Sequence, residues 1–298
     1  MTSITLTAPA KVNLFLKVLG RRKDGYHDIY TVFEKISLAD KIVITSIPRD
    51  IKIRSDNTIT RNSKDNIAYK AAELVKKEFG IDSGVEIYIE KNIPMSAGLG
   101  GGSSDAASVL MGMDKLFGLN ISKKRMMGLA AKLGADVPFF ILGDTFAIGK
   151  GAGERLKPLN IKKKLWHLLV FPGFGSPTKG VYEAFDRLDF ALTGLAGDVR
   201  IHSSISGSTS FGDIEAMLYN DLQCAAISEK KVLGSIIKRL TASLGKKIVL
   251  SGSGSSVFCL YRTKEEAAKA KARIRRSIPA AIRKSWNIFV VQTANLRS

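Results

Sequence analysis

Hydrophobic positions along the chain switch between a period of two and a period near 3.6, which marks out strands and helices in turn. The clearest switch surrounds residue 100. Val85, Ile87 and Ile89 alternate with Glu86, Tyr88 and Glu90, which predicts a strand; Ala106, Leu110, Met113 and Phe117 recur at helical spacing, and Gly118 predicts that helix's end. Upstream, Ile4 and Leu6 predict a strand ending at Ala8-Pro9-Ala10. The extended pattern resumes where Val12, Leu14 and Leu16 alternate with Lys11 and Asn13. Ile42, Val43 and Ile44 mark another strand. Residues 46–62 read as loop and short strands, 63–80 as a helix closed by Gly80, 122–134 as a helix opened by serine and closed by glycine, and 149–156 as a mobile loop.

Near Pro158 the texture changes and lysines cluster at 162–164, so a boundary there separates an N-terminal domain, 1–158, from a C-terminal one, 159–298. The second half reads as α+β. Strands are expected at 165–171, 247–250, 256–261 and 288–292, and helices at 179–188, 213–226, 229–242 and 264–276. Residues 189–212 are Gly/Ser-rich and are expected to be a mobile segment.

Between the strand ending near Glu90 and the following helix lies PMSAGLGGGSSDAA, with Gly98, Gly100, Gly101 and Gly102 followed by Ser103, Ser104 and Asp105. Glycines permit positive φ and close backbone approach. The unpaired N–H groups of a first helical turn, with the positive end of the dipole, make an anion site that suits phosphate. The plainer alternative is a tight turn in which Ser103 or Ser104 caps the helix. No lysine follows the glycines as a Walker A loop requires, and the run lacks the GxGxxG register of a dinucleotide fold.

Composition narrows the field only a little. A content of 45% hydrophobic and 24% charged residues is ordinary for a globular protein. No apolar run reaches transmembrane length and no targeting peptide stands out, so a cytoplasmic location is expected. Only Cys224 and Cys259 occur, which fits a reducing compartment, and Cys259 in VFCLY reads as a buried thiol. The net charge of +19 favours polyanionic partners. The basic residues are spread out, however, with no aromatic-interleaved stripe, so nucleic acid stays the lesser alternative.

Several polar residues have two readings. Lys11 and Asn13 share one face of an apolar strand, which either meets solvent or lines a cleft. Tyr26-His27, after the Asp24-Gly25 turn, is either a hairpin edge or a stacking ring beside a hydrogen-bonding imidazole. Asp136, past a helix end and before Pro138, is either a turn former or an acid aimed into a cleft.

The segments PAKVNLFLKV, GRRKDGYHDIYTVF, IPMSAGLGGGSSDAASVL, GADVPFF with GKGAGERL, NDL and LSGSGSSVF, in this order, resemble the GHMP kinase superfamily over nearly the whole chain. The N-terminal pieces are closest to the branch that phosphorylates 4-diphosphocytidyl-2-C-methyl-D-erythritol, rather than homoserine, mevalonate or galactose. The resemblance implies an α+β, two-domain fold, with an N-terminal domain like ribosomal protein S5 domain 2 and a ferredoxin-like C-terminal domain. It implies ATP-dependent transfer, with Mg²⁺, to the 2-hydroxyl of that substrate in the non-mevalonate isoprenoid pathway, by a monomer or homodimer that does not act at a membrane. By position, it implies Lys11 and Asp136 as the catalytic pair. Pro94, Met95, Ser96, Ala97, Gly98, Leu99, Gly100, Gly101, Gly102, Ser103 and Ser104 would form the ATP-phosphate loop, with Asn66 and Lys91 beside the adenosine. Tyr26, His27 and Tyr182 would hold the cytosine, and Asn13 and Thr178 would make further substrate contacts. No protein ligand to a metal is assigned.

Overall fold

In the computed structural model, residues 2–56, 63–188 and 208–294 are described. They form two compact units, one of Met1–Ala10, Leu38–Met95 and Gly100–Asp144, the other of Lys11–Ser37, Ser96–Leu99 and Thr145–Ser298. Two long strands, β1 (Ser3–Arg21) and β2 (His27–Ile47), contribute to both.

In the first unit the end of β2 pairs antiparallel with β4 (Gly84–Glu90), from Lys41↔Glu90 to Ile47↔Gly84. The short β3 (Ile51–Ser55) pairs parallel with β4, and the crossover between them carries α1 (Ile67–Phe79), as parallel neighbours require. Three further helices follow: α2 (Gly101–Phe117), α3 (Lys123–Leu133) and α4 (Val137–Ile141). Ile42, Ile44, Val85, Ile87 and Ile89 from the strands, and Ala71, Val75, Leu110 and Met113 from the helices, are fully buried. Removing that apolar surface from water is the main stabilising term. Gly80 and Gly118 close α1 and α2 in the left-handed conformation, as the pattern predicted.

In the second unit the start of β2 pairs with β5 (Phe146–Gly151), which turns back into β6 (Arg155–Leu159). Next come β7 (Trp166–Phe171), α5 (Thr178–Arg187), α6 (Phe211–Ala216) and β8 (Tyr219–Asn220). They are followed by α7 (Leu222–Glu229), α8 (Lys231–Leu244), β9 (Val249–Leu250), β10 (Val257–Tyr261), α9 (Lys264–Ser277) and β11 (Asn287–Gln292). The antiparallel sheet runs β11-β7-β10-β9, the fourth, first, third and second of its strands in chain order, which is the ferredoxin-like arrangement. Leu168, Val170, Val257 and Cys259 from this sheet pack with Val181, Ala225, Leu233, Leu240 and Ile274 from the helices. Cys259 is the expected buried thiol, and burial pushes it up to about 11.

The pattern of hydrophobic positions missed several things. Pro9 does not end β1, because its fixed φ lies in the extended region and it costs only one N–H. Far from the short strand expected at 42–44, β2 covers 21 residues; from Ile29 to Ile36 both faces are buried, so alternation vanishes there. The GKGAGERL segment is the β5–β6 hairpin rather than a loop. The helix expected at 213–226 is interrupted by β8, where Tyr219 and Asn220 pair in parallel with Phe15 and Leu16. The five-residue helix α4 was not foreseen, although Pro138 in its first turn is well placed. The segment expected to be mobile, 189–212, lies outside the described residues as far as 207, and its last residues enter α6 through a Ser210–Asp213 capping box.

Candidate active site

The glycine segment adopts an alternating backbone. Ser96, Gly98 and Gly100 have φ of +51°, +75° and +68°, while Ala97 and Leu99 between them stay out of the left-handed region. Ser176 N donates to Ser96 O (2.9 Å), Ser256 N to Ala97 O (3.1 Å) and Lys11 N to Leu99 O (2.9 Å), and Ser251 Oγ donates to Gly98 O at 3.0 Å. Four successive carbonyls are thereby committed to the protein. An alternating backbone whose carbonyls face one way gathers its N–H groups into an anion-binding concavity. A Cβ on Gly98 would lie 2.0 Å from Ser251 O, so only glycine fits.

The segment runs into α2 through Gly100, which is the N-cap residue and provides no side-chain hydrogen bond. Neither Ser103 nor Ser104 caps the helix, contrary to the plainer expectation, because the left-handed Gly100 makes the turn. Ser104 N is the first to close, on Gly100 O at 2.9 Å, so the N–H groups of Gly101, Gly102 and Ser103 have no acceptor within the helix. With 17 residues behind it, this turn carries a full helix dipole.

Just beneath lies a buried ionic cluster that the sequence did not announce as one. Lys91 Nζ donates to Asp40 Oδ2 at 2.5 Å and to Asp105 Oδ2 at 2.8 Å. Asp40 Oδ1 also accepts from Asn92 N (2.6 Å) and Ile93 N (2.8 Å), so this carboxylate holds the three residues that enter the loop. One cation cannot neutralise two carboxylates. Burial pushes Asp105 up to about 7, only partly opposed by Lys91. Burial pulls Lys91 down, but the two carboxylates outweigh it and its pKa is raised. Asp40 had a visible signal: with Leu38, Ile42 and Ile44 it occupies the buried face of its strand, where a carboxylate demands a partner.

Lys11 and Asn13 do share a face, and that face is buried, at 4% and 1% exposure, rather than open to solvent. Lys11 Nζ donates to Asn13 Oδ1 at 2.6 Å, and Nζ stands 5.5 Å from the centre of the Phe33 ring. Gly252 of the LSGSGSSVF loop, with φ +55°, comes so close that a Cβ there would lie 3.2 Å from Lys11 Nζ. Asn220 of the NDL motif holds that loop by donating from Nδ2 to Leu250 O (2.8 Å) and Gly252 O (2.7 Å). Its neighbour Asp221 accepts from Val18 N at 2.7 Å. The motif is therefore a brace for the loop over Lys11. Thr178, the first residue of α5, lies at 3.0 Å from Ser253 Oγ through its own Oγ1, and so adjoins the same loop.

The structure brings His27 and Tyr182 together: their rings stack with centroids 4.7 Å apart. His27 Nε2 lies 2.7 Å from Asp186 Oδ1, a partner not foreseen because it is 159 residues away. Tyr26 is 64% exposed at the tip beyond the turn. Asn66 is the N-cap of α1, accepting from Ala68 N at 2.9 Å. Asp136 is the half-buried N-cap residue of α4, to which its side chain gives no capping bond.

A glycine loop whose carbonyls are held by the protein and which leads into a helix N-terminus is suited to an anion such as phosphate. The profile "GHMP kinases N terminal domain" matches residues 66–144, and "GHMP kinases C terminal" matches 204–280. The chain is 41% identical over 281 residues to 4-diphosphocytidyl-2-C-methyl-D-erythritol kinase of Geobacter metallireducens, covering 93% of this chain and 96% of that one. It is 37% identical to the kinase of the same name from Syntrophotalea carbinolica, covering 97% and 98%. A crystal structure of 4-(cytidine 5'-diphospho)-2C-methyl-D-erythritol kinase superposes with a TM-score of 0.75 at 34% identity, over 98% of this chain and all of that one. The homoserine kinase of Cytophaga hutchinsonii, 18% identical with a TM-score of 0.75 over 99% and 95%, shares the fold. The chain belongs to the GHMP kinases, and within them to the 4-diphosphocytidyl-2-C-methyl-D-erythritol kinase family. It is a small-molecule kinase with the α+β fold of that family.

Proposed function

We infer that this kinase transfers the γ-phosphoryl group of ATP to the 2-hydroxyl of 4-diphosphocytidyl-2-C-methyl-D-erythritol, a step of the non-mevalonate isoprenoid pathway. The observation that carries the inference is the loop whose four carbonyls, Ser96 to Leu99, are held by the protein, which frees its amides for phosphate. Names shared by relatives covering almost all of the chain support the substrate.

Phosphoryl transfer depends on in-line positioning and neutralisation of charge more than on covalent help. Pro94–Ser104 cradles the phosphates. Asp136 accepts or orients the hydroxyl proton. Lys11, a buried cation, offsets charge building on the attacking oxygen and the transferred group. Tyr26, His27 and Tyr182 hold the cytosine, while Asn13 and Thr178 touch the rest of the substrate. Asn66 and Lys91 border the adenosine. Because the Asn66 side-chain carbonyl caps α1, while Lys91 gives its ammonium to two carboxylates and its backbone N–H to Asp56, the side-chain NH₂ of Asn66 is the group this reading uses for that contact.

Mg²⁺ bound with ATP supplies further neutralisation of the phosphates. Among the described residues there is no group of three or more His, Cys, Asp or Glu side chains suited to a metal. An ion that arrives with ATP would be held mainly by its phosphates, with one or two protein oxygens. Ser104 Oγ and Asp105 Oδ1, buried at the start of α2 without a hydrogen-bond partner, are the oxygens that fit. Residue 158 divides the chain between the two family profiles, and we keep it as the boundary between an ATP-side and a substrate-side domain. No helix among the described residues is long and apolar enough to cross a membrane, and we assign the protein to the cytoplasm as a monomer or homodimer. A coupled ATP-turnover assay with the cytidyl substrate, and with homoserine, mevalonate and galactose as controls, tests the function. Turnover only with a control, or none with the cytidyl substrate, overturns it.

A further inference from the structure

We propose that Thr31 is a positioning residue for the phosphoryl transfer: it anchors the nitrogen end of the Asn13 amide, and through that amide it holds the Lys11 ammonium in place. This rests on the reading of Lys11 as a working cation.

Hydrogen-bond polarity leads to Thr31. Lys11 Nζ donates to Asn13 Oδ1 at 2.6 Å, Asn13 Nδ2 donates to Thr31 Oγ1 at 2.7 Å, and Thr31 Oγ1 donates to Phe15 O at 2.7 Å. An ammonium can only donate and a carbonyl can only accept. A relay with an obligatory donor at one end and an obligatory acceptor at the other has one possible sense. The single Thr31 proton goes to Phe15 O, so its lone pairs face Asn13. Asn13 must then turn its NH₂ to Thr31 and its oxygen to Lys11. Thr31 is fully buried, as are Asn13 and Lys11 to within a few per cent, so no bulk solvent substitutes for a lost partner. Gly252 closes the other side, since a Cβ there would lie 3.4 Å from Asn13 Oδ1.

Without the Thr31 hydroxyl, the Asn13 NH₂ and the Phe15 carbonyl both lose a partner. Lys11 still demands the amide oxygen, so the sense of Asn13 survives, but its Nδ2 end is no longer anchored; the side chain turns to find another acceptor, and the ammonium bonded to Oδ1 shifts with it. Valine keeps the β-branched shape and strand preference of threonine, so the change isolates the hydroxyl.

The test measures kcat, KM for ATP and for the cytidyl substrate, and the thermal midpoint in Thr31→Val and Thr31→Ser, each in the natural and the Asn13→Ala background. Misplacing a reacting group by about 1 Å costs on the order of 10²-fold, so Thr31→Val should lower kcat by about 10–100-fold with KM for ATP little changed. Thr31→Ser, which keeps the hydroxyl, should restore kcat to within about threefold, and Thr31→Val should cost less than about twofold once Asn13 is alanine. Where Thr31→Val does not fold at the assay temperature, Thr31→Ala serves in the same cycle. Equal losses in both backgrounds, no rescue by serine, or an unchanged kcat in folded Thr31→Val overturns the proposal. Lys11→Met separates the two readings. Normal kcat there removes Lys11 from the chemistry; a lost kcat beside a normal Thr31→Val defeats the Thr31 proposal alone.

Discussion

His27 stacks on Tyr182 with ring planes 26° apart, and its Nε2 lies 2.7 Å from Asp186 Oδ1. A carboxylate only accepts, so Nε2 donates in that bond, and in the tautomer with its one proton on Nε2 the ring offers Nδ1 as an acceptor. An acceptor suits the exocyclic amine of cytosine and repels the carbonyl oxygen that uracil has there. His27→Ala should therefore lose most of the preference for cytidyl over uridyl analogues, while Tyr182→Ala should weaken both. Tyr26→Ala should also weaken both alike, by about 1–3 kcal/mol if the ring stacks on the base. It should leave the thermal midpoint in place, because that ring is already 64% exposed. Titrating each variant with both analogues at fixed salt decides the matter; an unchanged ratio in His27→Ala would remove His27 from the base edge, and unchanged absolute affinities in the two tyrosine variants would remove those rings from the base pocket.

Asp136→Asn should lower kcat by about 10²–10⁴-fold, the usual worth of a positioned general base. The fold should survive, since α4 takes no side-chain capping bond from Asp136. Asn keeps the size of the side chain, so KM for both substrates should stay close to normal. A near-normal kcat would take Asp136 out of the mechanism.

The elements flanking the glycine loop were legible because each has one buried face. Alternation announced β4, and helical spacing with a terminal glycine announced α2 and α3. The loop itself was legible because its chemistry lies in the backbone, and glycines report backbone demands directly. The start of β2 was not, because it carries Glu34 and Lys35 in a stretch buried on both sides. Glu34 is accommodated there by Thr293 Oγ1, which donates to Oε1 at 2.8 Å, and by His167 Nε2 at 3.0 Å from Oε2. Partners more than 130 residues away leave no local trace. The same holds for Asp186 beside His27. Lys91 was placed near ATP from its motif position, but that its ammonium is divided between Asp40 and Asp105 depends on how β2, β4 and α2 meet.

The Asp105 carboxyl should make stability depend on pH. Its ordinary value is 3.8, and burial raises it to about 7 in the folded protein. The folded state thus binds the proton more tightly than the unfolded chain, and its contribution is fully present below about pH 4. It is lost progressively as pH rises towards 7. Asp105→Asn removes the titration while keeping the size. Urea midpoints between pH 5 and 8 should fall more steeply in the natural protein than in Asp105→Asn, with the curves becoming parallel above about pH 8. Parallel curves throughout would mean that Lys91 keeps Asp105 ionised over the whole range.

Two glycines of the proposed phosphate loop should respond oppositely to the same added methyl group. Gly98 has φ +75°, and a Cβ there would lie 2.0 Å from Ser251 O and 2.9 Å from Gly254 N, both backbone atoms that cannot move alone. Gly98→Ala must therefore push the loop away from residues 251–254, which releases the Gly98 carbonyl from Ser251 Oγ and spoils the concavity. Gly102 is helical, and its Cβ would meet only Ile67 Cγ2 at 3.5 Å, an ordinary contact. Alanine there even favours the helix, by about 0.5–1 kcal/mol over glycine. Gly98→Ala should raise KM for ATP by at least about tenfold, on the order of 1.4 kcal/mol, and lower the thermal midpoint as well. Gly102→Ala should leave the midpoint unchanged or higher. Any rise in its KM for ATP then reports crowding of the phosphates themselves, separate from folding. Measuring KM and midpoint together in both variants gives the decision. A Gly98→Ala protein with normal KM for ATP would show that the loop's left-handed turns serve only to connect β4 to α2, and the phosphate reading of the whole segment would fall with it.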